Sequence, residues 1–170
     1  MKAVLLTVAA NLLLLLVSGV WQHWTSGSGL TFLVVGLVAV FPALEMSFRR
    51  GWLVVGLTGA FWEASLPLPF GSLTLLLWLA HAILFVNRGR FRGEGVGPSL
   101  RAALIVNGML FLALALLWNE GRGTELSFWG RVGIDWVLSQ AFLLPLGWWY
   151  FRFLKSLFAV TDSSPRSDLF

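Results

Sequence analysis

The chain contains no cysteine, which excludes disulfides, thiolate metal sites and cysteine nucleophiles. Charge is scarce as well. Only 12% of its 170 residues are Asp, Glu, Lys or Arg, roughly half the share of a soluble domain. So few charges cannot cover a globular surface with polar groups. There are two histidines, His23 and His81, far apart and without a paired acid, so the H-E-x-x-H spacing of a metalloprotease is missing. Ser26 and Ser28 fall in a polar loop and Ser72 has no evident base, which leaves no nucleophile–base pair for an intramembrane serine protease. Gly89, Gly93, Gly95 and Gly97 occupy an arginine-rich loop with no strand before it, so Walker and Rossmann patterns are absent too. These absences argue against an enzyme, a metal site and a bound cofactor.

What the chain has in abundance is hydrophobicity: 58% of residues are apolar or aromatic, and the mean hydropathy is +0.82. The length fits one domain. A net charge of +4 and a pI near 10.7 do not point to nucleic acid. The basic residues sit in short loops between apolar stretches, as in the cytoplasmic loops of membrane proteins, and no basic stripe is visible.

A helix needs about 20 apolar residues to cross the hydrocarbon core. Residues 3–21 form the first such stretch, interrupted only by Asn11. A signal peptide would also begin with Lys2 and an apolar run, but apolarity continues to Trp21 and no A-x-A site follows, which favours a retained helix. Further spans are expected at 30–48, 52–64, 72–86, 102–118 and 132–154. The span at 52–64 is short and must be accommodated by thinning or burial; Pro67, Pro69 and Gly71 separate it from the next. The sequence therefore predicts an all-α, polytopic bundle of six transmembrane helices over 1–154, followed by a polar, frayed cytoplasmic tail over 155–170.

Charge sets the orientation. With both termini inside, Lys2, Arg49, Arg50, Arg88, Arg90, Arg92, Arg101, Arg152, Lys155 and Arg166 face the cytoplasm, and only Arg122 and Arg131 lie outside. That asymmetry follows the positive-inside rule. Trp21, Trp24, Trp52, Trp62, Trp118 and Trp129 fall where this arrangement puts an interface.

Polar residues inside such spans are costly and often functional. Glu45 precedes Arg49, and Arg131 precedes Asp135, by one helical turn, so an interfacial ion pair is expected for each. Asn11 and Asn107 suit interhelical hydrogen bonds, and His81 suits a satisfied packing role. Glu63 has no basic residue near it in sequence and ends a helix just before a Pro-x-Pro-x-Gly turn. It is either a solvated loop acid or a residue with a specific role, braced across helices, with Gln140 as a candidate partner.

The stretch from Gly59 through Phe61, Trp62, Glu63, Pro67 and Pro69 to Gly71 resembles the most recognisable segment of the rod shape-determining MreD family. That family carries a glycine, an acid a turn later, a short small or polar stretch and a Leu-Gly opening the next helix. The run from Gln140 to Pro145, then aromatic residues, Arg152 and Lys155, is similar to the family's last helix. This chain departs from the pattern at Glu63, where the family has aspartate, and at Gln140, where it has asparagine. The resemblance implies a non-enzymatic subunit of the cell-wall elongation machinery in the bacterial inner membrane. It implies Glu63, Gly71, Gln140 and Pro145 as structural or partner-binding positions. The implied partners are an MreC-like bitopic protein, the MreB filament system and a peptidoglycan polymerase–transpeptidase pair. The alternative is the substrate-binding component of an energy-coupling-factor vitamin transporter, whose docking pattern of small residues spaced four apart is missing from the first helix.

Overall fold

A computed structural model describes residues 1–25, 31–65, 69–91, 93, 95–117 and 126–162. The described residues form seven helices and no strand: α1 Lys2–Thr25, α2 Gly36–Glu45, α3 Phe48–Glu63, α4 Ser72–Val86, α5 Arg88–Phe91, α6 Gly97–Leu117 and α7 Leu126–Asp162. On length and composition, α1 and α6 can each cross a membrane, and α2 and α4 are shorter apolar helices.

The centre of the bundle is α2. Every residue from Gly36 to Leu44 is buried, as a helix apolar all round must be. It packs on α3, α4 and α6, while α1 lies against α3 and α7 against α6. The expected span over 30–48 is corrected here. Residues 31–34 are not helical, and the chain becomes extended again at Ser47 (φ −69°, ψ 150°) before α3 begins. The β-branched Thr31, Val34 and Val35 favour this local unwinding. Ten helical residues rise only about 15 Å, about half the thickness of a hydrocarbon core. Pro42 lies inside α2 and deprives the Val38 carbonyl of its usual donor.

The outer helices are amphipathic in an unusual sense, because both of their faces are largely apolar. In α1 the buried stripe is Val4, Thr7, Asn11, Leu14 and Ser18, spaced at three and four residues as one helix face demands. The outward residues are Leu5, Leu13, Leu16, Val20 and Trp24. The same holds for Leu75, Leu79 and Ile83 of α4, for Ile105, Met109 and Leu116 of α6, and for Ile134, Val137, Trp148 and Trp149 of α7. Trp62 is packed inside the bundle and only 6% exposed. The expected frayed tail over 155–170 is corrected for its first part, since α7 continues as helix to Asp162; residues 163–170 lie outside the described residues. At 37 residues α7 is about 55 Å long. Trp118, Arg92, Arg122, Pro165 and Arg166 lie outside the described residues.

Candidate functional site

Glu63 ends α3 and is 2% exposed. Gly59, one turn earlier, lets α3 approach α4 closely: a Cβ there would stand 3.1 Å from the Thr74 hydroxyl and 3.2 Å from the Thr74 Cα. Gly71, at the start of α4, adopts a left-handed conformation (φ +99°) that glycine reaches at little cost. It has no side chain to cap the helix, and the first N–H groups of a helix have no partner of their own. Glu63 supplies that partner from the neighbouring helix. Its Oε1 accepts the Leu73 N–H at 2.8 Å and its Oε2 accepts the Thr74 hydroxyl at 2.9 Å. A carboxylate at this place also opposes the positive end of the α4 dipole.

Gln140 is not the partner of Glu63. Its amide donates to the Leu104 carbonyl at 3.1 Å and joins α7 to α6. The close approach of these two helices is set by Gly108, whose Cβ would stand 2.9 Å from the Gln140 Nε2. Pro145 lies inside α7 on its exposed side. The four expected positions therefore do not converge: Glu63 and Gly71 meet at the α3–α4 turn, whereas Gln140 and Pro145 belong to α7. Of the turn between Glu63 and Gly71, residues 66–68 lie outside the described residues.

A second polar cluster holds the unwound segment ahead of α2. The Asn107 side chain donates to the Leu33 carbonyl at 2.8 Å and accepts the Gly36 N–H at 3.1 Å. Ser139 accepts the Leu33 N–H at 3.0 Å and donates to the Thr31 carbonyl at 3.3 Å. Buried backbone outside regular structure needs such partners. Gly36 makes the arrangement possible, since a Cβ there would come within 2.7 Å of the Asn107 backbone nitrogen. A third cluster joins α1, α3 and α7: the Asn11 amide donates to Thr58 at 3.0 Å and its carbonyl accepts the Tyr150 hydroxyl. Asn11 and Asn107 thus make long-range hydrogen bonds. The sequence did not reveal that those of Asn107 hold non-helical backbone; the run of β-branched residues before Gly36 was the available signal.

Two other expectations are corrected. Glu45 does not pair with Arg49, because the break at Ser47 removes the one-turn spacing; its nearest cation is Lys155, at 3.9 Å. The Lys155 ammonium also donates to the Gly95 carbonyl at 2.7 Å. His81 is fully buried, but neither ring nitrogen has a hydrogen-bond partner. It packs among Phe48 and Phe85 and against Gly51, where a Cβ would collide with the ring. Asp135 is 7% exposed and feels the charge of Arg131 one turn away, as the spacing led us to expect, although its Oδ1 makes no hydrogen bond. Both line a cavity of about 170 Å³ with Thr31 and Leu33.

Among the described residues no three His, Asp or Glu side chains come together as a metal site would need. The well-formed polar clusters spend their hydrogen bonds on the protein's own backbone and hydroxyls, which suits them to hold helices in place. No family model matches the chain, and no curated protein or solved structure shows significant similarity to it.

Proposed function

We propose that the chain is a multi-pass protein of the bacterial inner membrane, with six passes and both termini cytoplasmic, that works by assembly. It holds the transmembrane segments of cell-wall elongation partners in position. The observation that carries the membrane part is the reversed distribution of side chains. Asn11, Glu63, His81, Asn107 and Ser139 are inside, while leucines, isoleucines and tryptophans cover the outside of α1, α4, α6 and α7. A protein in water exposes apolar patches of limited size; in lipid such a surface carries no penalty and every backbone group must be satisfied internally. The helices of 15 and 16 residues, α4 and α3, are short for a full crossing and imply local thinning or burial at their ends.

The elongation role rests on the resemblance to MreD around Glu63–Gly71 and Gln140–Pro145. The hydrogen-bonded brace at Glu63 supports it by giving the most characteristic acid of that segment a task in the fold. Reporter fusions test the topology: one after Leu154 reads cytoplasmic and one at residue 122 reads external. Depletion in a rod-shaped host gives rounded, swollen cells, and an MreC-like protein co-purifies in mild detergent. Normal cell shape with a vitamin-uptake defect would transfer the assignment to the transporter component.

A further inference from the structure

A groove of about 430 Å³ runs between α4 and α6. One wall is Leu76, Ala80 and Ile83 of α4, and the other is Ile105, Met109 and Ala113 of α6. Its far end is apolar, and its near end is closed by Asn87, Arg90 and Phe91. Arg101 is exposed one turn before Ile105, on the same face of α6, which puts a second basic residue next to that end. From Leu76 to Asn87 the groove follows α4 for about 16 Å, close to the depth of one hydrocarbon leaflet, which is about 15 Å. A partner helix that crossed the bilayer would run along about twice that length. A flexible acyl chain fits it.

We propose that this groove binds one anionic phospholipid of the cytoplasmic leaflet. An acyl chain lies between α4 and α6, and the phosphate meets Arg90 and Arg101. The proposal rests on the membrane reading above and adds a lipid to it. Charge complementarity selects the headgroup, because basic groups at the inner surface favour anionic lipids. The single-leaflet length selects an acyl chain over a spanning helix.

The test is native mass spectrometry of the protein from mild detergent, with phosphatidylglycerol and phosphatidylcholine added at equal ratio. The parent retains one phosphatidylglycerol in preference to phosphatidylcholine. Arg90→Gln lowers that retention about fivefold, the share of one basic residue near the surface. Ala113→Phe and Ala80→Phe fill the apolar end and lower retention of both lipids. Carbonate extraction of membranes is run on every variant. Equal retention of the two lipids by the parent, or unchanged retention in Arg90→Gln and both phenylalanine variants, overturns the lipid site while leaving the membrane assignment standing. Release of the parent by carbonate overturns the membrane reading and the site with it. The chain has no cysteine, so Ala113→Cys gives a unique crosslinking point. A crosslink there to a protein in place of a lipid also overturns the proposal.

Discussion

Glu63 and His81 lie at opposite ends of the same helical pair, α3 and α4, and both are buried. They treat their polar atoms in opposite ways. Each carboxylate oxygen of Glu63 is matched to a donor on the first turn of α4, and the close approach at Gly59 delivers it there. Neither nitrogen of His81 has a partner; its ring sits on Gly51 and beside Phe48 and Phe85. One end of the pair is fastened by hydrogen bonds and the other by shape. A buried group with its bonds made contributes modestly when intact and costs much when one side is removed. A buried polar group without bonds contributes through packing and carries the cost of its unpaired atoms.

The comparison breaks most readily at Glu63. Glu63→Ala strands the Leu73 N–H and the Thr74 hydroxyl and lowers stability by about 3 kcal/mol, read as a drop in thermal unfolding followed by tryptophan fluorescence in detergent. Glu63→Gln, which keeps shape and an acceptor, loses much less. An alanine variant that melts with the parent would show the brace to be idle. Gly51→Ala comes next: its methyl meets the His81 ring, and overpacking of this kind costs about 2 kcal/mol. The double variant with His81→Ala recovers most of that loss if shape is what fastens this end. Thr74→Val removes one of the two bonds to Glu63 at nearly constant volume and costs about 1 kcal/mol, measured in the same assay. The smallest effect is at His81 itself. His81→Leu exchanges unpartnered nitrogens for apolar atoms and raises stability by up to about 1 kcal/mol. A clear loss there would mean that the imidazole bonds to something beyond this chain.

Much of this was legible in the sequence, and the parts that were not share a cause. The helix over 72–86 appears with the expected bounds, because turn residues and an arginine-rich loop frame it. The helix before it starts four residues earlier than expected, at Phe48, because Ser47 ends the preceding segment in an extended conformation. Glu63 stood out as an acid without a local cation, but its partners were not legible. They are ten and eleven residues away, across a turn, where spacing carries no signal. The unwinding of 31–35 was hidden for the same reason: its hydrogen-bond partners lie 74 and 106 residues on, at Asn107 and Ser139. Hydropathy reads that stretch and α2 as one continuous helix, since both are apolar. The Glu45–Arg49 spacing suggested a pair only as long as one helix was assumed to carry both.

The clamp on the unwound segment has a consequence for how the protein is made. Leu33 leaves the ribosome 106 residues before Ser139, an interval of about 5–20 s at ordinary translation rates. During that time the groups that satisfy its backbone in the finished fold have not been synthesised. Segment 31–45 therefore cannot settle at the centre of the bundle in its turn. It is fastened only when α6 and α7 arrive and close around it. The second hydrophobic segment to be made is among the last to reach its place.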